Sequence, residues 1–290
     1  METTKRLMAT LLALSLSASA TASTYYLDRF KIDKNGTDNW FNDPFSDGNP
    51  PPSSEGVFPN QSQGSYSTLP DSLPGPEQNG KLALDPSQGQ STTSSVSGNP
   101  ILIQRARLQT STDSSDLTTG LKSDDTFSVG GLFDLTPPEM SEVYGIRLTD
   151  FSSTSTANDV VQLTVGWNGS GEWGVRFREA DFGAGIFDLL DFGNLSQRAD
   201  LGDFEQIALF LDKADAGSST ITASYALIDL DDSGNNQFLD LAGSGTIFDG
   251  EEWTRAEFFT VRAVPVPAAL PLFASALGLL AVFGRSRRTT

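Results

Sequence analysis

The sequence predicts an all-β protein, an antiparallel jelly-roll β-sandwich, with a signal peptide helix ahead of it and a single transmembrane helix behind it. Three observations carry that prediction. Apolar residues alternate at period two through much of the chain beyond Pro100. Clusters of Gly, Asn and Asp separate the alternating runs. Both ends of the 290-residue chain carry a long uncharged segment flanked by basic residues.

At the N-terminus, Lys5-Arg6 precede the uncharged run Leu7 to Ala18, which closes on Ala20-Thr21-Ala22. A basic start, a short apolar centre and a small-x-small ending mark a secretory signal peptide over 1–22, cut after Ala22 with Ala20 at the other small position. The run is too short to span a bilayer, which takes roughly 20 residues.

Residues 23–262 read as one ectodomain, a length that can bury a single substantial core. Strands are expected at Tyr25–Ile32, Leu82–Leu84 and Ile101–Leu108. Proline is concentrated between Pro44 and Pro100. There the stretches 42–64 and 87–99 are expected to be long polar loops or disordered, since proline supports neither a ladder nor a helix. Further strands are expected at Phe127–Leu135 and Val143–Thr149. Val161, Leu163, Val165 and Trp167 alternate with Gln162, Thr164 and Gly166, and Trp173, Val175 and Phe177 alternate with Gly174 and Arg176. Asn168-Gly169-Ser170-Gly171 between them is a hairpin turn by composition. Gly185–Phe192 is the one segment expected to form a short helix. Ile207–Leu211, Thr220–Leu227 and Arg255–Val261 complete the strands.

At the C-terminus, Ala263 to Phe283 is a run of 21 uncharged residues ahead of Arg285, Arg287 and Arg288. At about 1.5 Å per residue a helix starting near Ala268 can cross the hydrocarbon layer. The arginines hold the cytoplasmic side and place the body of the protein outside.

Composition excludes much. With no His and no Cys there is no Ser-His-Asp or Cys-His system, no ordinary zinc site, no haem or iron–sulfur ligation and no disulfide. A net charge of −18 argues against nucleic acid as a partner and suits a soluble, self-repelling exterior.

Val264-Pro265-Val266-Pro267-Ala268, followed by an apolar helix and an arginine-rich end, resembles the PEP-CTERM class of bacterial sorting signals in its VPLPA-type variant, with Val266 at the usual Leu. That resemblance covers 263–290. It implies a membrane intermediate delivered by the secretion translocon, an exosortase-type enzyme that cleaves near the motif, and release to the cell surface or extracellular matrix. The strings FSVGGLFDLTPPEMSEVYGIRLTDF, DVVQLTVGW, EQIALFLDK and STITASYALID resemble the concanavalin-A-like lectin/glucanase sandwich, laminin-G-like domains included. This second resemblance implies a sheet face turned towards glycans, as in many relatives, and a polysaccharide partner.

Two candidate sites follow. Asp229, Asp231, Ser233, Asn235 and Asp240 stand at positions 1, 3, 5, 7 and 12 of a calcium-loop spacing, with Gly234 at the sharp turn. Calcium is therefore the one cofactor the sequence points to. Asn236 at position 8, Asp rather than Glu at position 12, and a preceding strand in place of a helix favour an acidic hairpin tip. Glu179-Ala180-Asp181 begins like the E-x-D-x-x-E catalytic strand of the glucanases, but Gly183 or Ala184 occupies the third acid's place, so no catalytic residue is assigned. Trp167 and Trp173 share the inward phase and read as core; Trp40 and Trp253 are undetermined. The sequence thus reads as an exported surface or matrix protein with a non-catalytic lectin-like domain. Its alternatives are a glycan hydrolase on the same scaffold and an unprocessed single-pass anchored protein.

Overall fold

The structure, a computed structural model, describes residues 22–36, 40–41, 77–78, 81–93, 100–107, 121–150, 159–181, 186–247 and 253–264. Ala22–Ala263 forms one compact unit. The signal peptide apart from Ala22, the stretch 42–64, and the sorting segment beyond Val264 lie outside the described residues. Ala20, Pro265, Val266, Pro267, Ala268, Arg285, Arg287 and Arg288 are therefore among the undescribed positions. Among the described residues no helix is long and apolar enough to cross a membrane.

The described residues form seventeen strands in an antiparallel two-sheet sandwich. In chain order these are β1 (Tyr25–Lys34), β2 (Trp40–Phe41), β3 (Glu77–Gln78), β4 (Lys81–Leu84), β5 (Gln90–Thr93), β6 (Pro100–Arg107), β7 (Leu121–Lys122), β8 (Phe127–Asp134) and β9 (Glu142–Asp150). They continue with β10 (Asp159–Trp167), β11 (Trp173–Asp181), β12 (Ile186–Asn194), β13 (Gln206–Lys213), β14 (Thr220–Ile228), β15 (Gln237–Asp240), β16 (Gly245–Thr246) and β17 (Trp253–Ala263). The first sheet runs β15-β14-β13-β8-β1-β4-β3, with β16 beside β14 and β2 beside β1. The second runs β12-β11-β10-β9-β17-β6-β5, with β7 beside β17.

Alternation decides which residues meet between the sheets. Tyr25, Phe30, Phe133, Ile207, Leu209 and Tyr225 enter from the first sheet; Tyr144, Leu163, Val175, Phe177 and Phe258 enter from the second. The centre is aromatic. Tyr25 stacks on Tyr144 with ring centroids 4.4 Å apart, and the Phe258 ring lies 5.8 Å from Phe30 and 6.3 Å from Phe133. A chain without disulfides depends on such contacts, each buried ring being worth about 1.5–3 kcal/mol. Trp173 belongs to this core, and half-buried Trp167 packs on it while its indole N–H donates to the Pro138 carbonyl at 2.7 Å.

The turn expected at 168–171 forms. Asn168 Oδ1 accepts from the backbone N–H groups of Ser170 and Glu172 at 2.8 and 3.0 Å, and Gly171 takes the positive φ of 82° that closes it.

Two expectations are corrected. The helix expected at Gly185–Phe192 is not formed over its described residues: Ile186–Asn194 is strand β12 at the end of the second sheet. The β11–β12 register jumps between Phe177, opposite Asp191, and Arg178, opposite Leu189, so Leu190 is an extra residue. A bulge of this kind breaks the two-residue period and brings Phe187, Leu189 and Phe192 to one face. Their spacing of two and then three imitates a helical pattern in the bare sequence. The polar stretch 87–99 also contributes structure, because Gln90–Thr93 is strand β5, pairing with β6.

Candidate functional site

Strand β13 carries apolar residues in both phases. Ile207, Leu209 and Leu211 enter the core, while Ala208 and Phe210 point to the opposite face of the first sheet. There Leu132, Ala208 and Ala226 form a second apolar cluster, with Phe210 and Ile228 packed against it. The register lines up one residue from each of five strands: Phe238, Ala226, Ala208, Leu132 and Arg29. The next row reads Asp240, Ser224, Phe210, Gly130 and Lys31.

Small residues in the middle and large ones at the margins leave a groove of about 540 Å³. Its floor is Ala208, Ala226 and Leu132; Phe238 and Leu230 rise on one side, and Arg29 and Lys31 stand on the other. Phe238 is 77% exposed and Leu230 59% exposed. A soluble protein seldom leaves large apolar side chains in the open beside a groove without a use for them. The Phe210 ring lies across Gly130, where an added Cβ would come within 2.6 Å of it.

Polar groups fix the groove's ends. Gln206 donates through Nε2 to Asp28 at 3.3 Å and to Asp134 at 3.5 Å, and Arg29 Nε lies 3.3 Å from the same Asp28 oxygen. Gln206 is buried, and its Oε1 has no hydrogen-bond partner. At the far end Lys31 pairs with Asp33, and the register carries on through Thr222, Asp212, Ser128 and Asp33. Burial raises the Asp212 carboxyl above its ordinary value; the Ser128 hydroxyl and the Lys31 ammonium oppose that rise, and Asp33 and Asp240 add to it.

The five residues of the calcium spacing fall into two groups. Asp229 Oδ1 accepts from the backbone N–H of Asp231 at 2.9 Å and of Asp232 at 2.8 Å, and its Oδ2 accepts from Asn235 Nδ2 at 3.0 Å. Ser233–Asn235 is a single 3₁₀ turn capped by Asp232, whose carboxylate accepts from the Gly234 N–H at 2.9 Å. Asp240 stands apart from the turn on β15, opposite Ser224. Among the described residues no group of three or more acidic side chains could hold a metal ion. The turn is built from its own donors, and it carries Leu230 to the lip of the groove.

Glu179 lies on β11 with its Oε1 accepting from the Thr246 N–H at 3.0 Å, and its cross-strand neighbours are Val161 and Asp188. It contributes nothing to the groove, which is on the other sheet. The groove residues went unnoticed in the sequence, although one signal was there. Apolar residues in both phases of Gln206–Lys213 mean that the outer face of that strand is not meant for water alone.

These features define an antiparallel β-sandwich with one partly apolar, open sheet face. No family model matches the chain, and no curated protein matches it. Among solved structures it is similar to the CBM2 module of the evolved Dit of Lactobacillus casei BL23 phage J-1, at 10% identity and a TM-score of 0.27, over 84% of this chain and 98% of that one. A likeness of that size carries no functional argument.

Proposed function

We propose that this is an exported bacterial cell-surface or extracellular-matrix protein whose sandwich associates non-catalytically with glycans through the outer face of its first sheet. The observation that carries the binding half is the groove's chemistry. Phe238 offers a flat ring to the apolar face of a sugar, and Arg29 and Lys31 at the opposite margin offer donors to its hydroxyls. Such a pairing of one ring with orienting polar groups is what sugar recognition needs.

The export half rests on the two ends of the sequence. In this reading a signal peptide helix directs the chain through the translocon, a C-terminal transmembrane helix holds it, and an exosortase-type enzyme cuts near Val264 to Ala268. The fold is then the jelly-roll of the lectin/glucanase class. What supports the processing step is that β1 starts at Tyr25, just past the first cleavage site, and β17 ends at Ala263, just before the motif. Removal of both ends leaves every described strand intact.

Binding of the full-length protein to neutral glucans, measured by affinity electrophoresis, tests the groove. Phe238→Ala is expected to weaken retardation about tenfold, the worth of one stacked ring. Its unfolding midpoint is expected to stay put, because the ring is exposed. Retardation that is unchanged in the variant, or absent in the wild type, removes the groove as a glycan site.

The hydrolase reading has one observation in its favour, the raised carboxyl of Asp212 beside Asp33 and Asp240. A reducing-sugar assay on the same glucans decides it. No release is expected; release that disappears in Asp212→Asn would establish an enzyme.

The calcium reading of Asp229, Asp231, Ser233, Asn235 and Asp240 competes with a turn that holds itself, in which Asp229 already engages both oxygens. An unfolding midpoint unmoved by millimolar calcium is the expected result. A rise that Asp229→Asn abolishes would restore the metal.

A further inference from the structure

The outer face of the second sheet has the opposite character from the rest of this acidic chain. Alternation on β11 sends Trp173, Val175 and Phe177 into the core and Arg176 and Arg178 outward. One row across the sheet reads Phe192, Arg176, Thr164, Gly145, Phe259 and Arg105; the row beside it reads Leu189, Arg178, Gln162, Arg147 and Glu257. Among the described side chains, Arg105, Arg147, Arg176 and Arg178 thus share a face with the Glu257 carboxylate.

That carboxylate is already engaged. Arg147 Nε donates to Glu257 Oε2 at 2.6 Å, and Arg105 lies 3.9 Å from the same oxygen. Arg176 and Arg178 have no ion-pair partner among the described residues. Both are largely withdrawn from water, and the Nε atom of each is buried without a hydrogen-bond partner. The neighbouring hydroxyls of Thr164 and Thr149 are buried and unpartnered as well, Thr164 being 0% exposed. Burial, followed by the repulsion of Arg178, pushes the Arg176 guanidinium down to about 10.

Two like charges held side by side at such a cost call for an anion to sit on them. The surroundings are aromatic. The Arg178 guanidinium lies 4.9 Å from the centre of the Phe187 ring, and Arg147 lies 5.0 Å from that of Phe259. Leu189, 46% exposed, stands beside them. The bulge at Leu190 is what turns Phe187, Leu189 and Phe192 to this face together. Gly166 gives the Arg176 side chain room to lie down, since a Cβ there would come within 2.7 Å of its guanidinium.

We propose that this arginine platform, centred on Arg176 and Arg178 with Thr164 and Gln162 between the strands, binds the carboxylates of an acidic polysaccharide. The guanidinium fork matches a carboxylate through two parallel hydrogen bonds. The rings beside it match the flat face of a pyranose. An acidic peptide is disfavoured by position. Extended peptides add to sheet edges, where backbone groups are open, whereas β9, β10 and β11 are paired on both sides. With a net charge of −18 on the chain, a polyanion is repelled elsewhere and drawn to this face. The inference deepens the glycan reading above by naming the charge of the sugar, and it uses a different face from the groove.

The test measures binding of the full-length protein to polygalacturonate, with polyglutamate and a neutral glucan in parallel. Polygalacturonate is expected to bind with an affinity that falls as salt rises. Arg176→Gln with Arg178→Gln should weaken it about tenfold or more, the scale of a lost bidentate contact. Arg178→Lys alone, which keeps the charge and loses the fork, should weaken it severalfold and secures the test if the double variant fails to fold. Binding undiminished in these variants, no binding by the wild type, or equal binding to polyglutamate would each overturn the assignment. Phe238→Ala should leave polygalacturonate binding untouched, so a failure of the groove is read separately from a failure of the platform.

Discussion

At Ser23 the backbone N–H donates to Glu142 Oε2 at 3.3 Å, and the Tyr25 hydroxyl donates to the same oxygen at 2.6 Å. The Glu142 side chain is fully buried, its Oε1 has no hydrogen-bond partner, and Arg262 Nε lies 3.6 Å from that oxygen. Cleavage after Ala22 would turn the Ser23 amide into an ammonium on a buried carboxylate. The chain beginning at Ser23 is therefore expected to be more stable than one that retains residues before it, by about 1 kcal/mol or roughly 2–4 °C in Tm. Glu142→Gln should remove the difference; an unchanged gap in that variant would rule out the contact. Asp229 supplies a second prediction. The hydrogen bond from Asn235, then those from the Asp232 and Asp231 backbone, hold its carboxyl below the ordinary value. A depressed value means that its contribution to stability is present above the unfolded carboxylate's value and lost as pH falls through the lower folded one. In an acid titration of Tm, Asp229→Asn should flatten the acid limb, and a limb identical to the wild type would show that the turn contributes nothing.

Strand β12 shows how an element can be hidden. Its bulge is invisible to a two-residue period, and its outward Phe187, Leu189 and Phe192 carry the register of a helix face. Deleting Leu190 should restore a regular pairing with β11 that keeps Phe187, Leu189 and Phe192 on one face, while removing a side chain that packs against the core. The expected result is a lower unfolding midpoint with the Arg178–Phe187 contact kept; a variant as stable as the wild type would mean that the extra residue is incidental. By contrast β10 and β11 were legible residue by residue, because strict alternation and the Asn168–Gly171 turn leave one register. The groove was legible only in hindsight, through Ala208 and Phe210 on the outer phase of β13. Pairing across five strands brings Phe238, Ala226, Ala208, Leu132 and Arg29 into one row, and no local pattern encodes that. The short strands β3, β5, β7 and β16 escaped for a related reason, since two to four residues with little or no apolar pattern take strand form only when a neighbour offers its edge.

Across the whole molecule the core is continuous between the sheets, so losing one central ring should be felt everywhere. Phe258→Ala, which removes the ring shared by Phe30 and Phe133, is expected to cost about 4 kcal/mol in chemical denaturation. A cost under about 1 kcal/mol would mean the sheets do not meet as described. Charge is distributed with the same economy. The chain is strongly acidic, yet Arg105, Arg147, Arg176 and Arg178 share the outer face of the second sheet, while the exposed Phe238 and Leu230 border the groove on the first. The proposed function has the sandwich delivered outside the cell and freed at both ends, and this is the claim on which the account turns. The intact mass of the protein recovered from the producing cells and their medium tests it most directly. The account predicts a chain that starts at Ser23 and ends between Val264 and Ala268; a mass that retains Ala268 to Thr290 would contradict it.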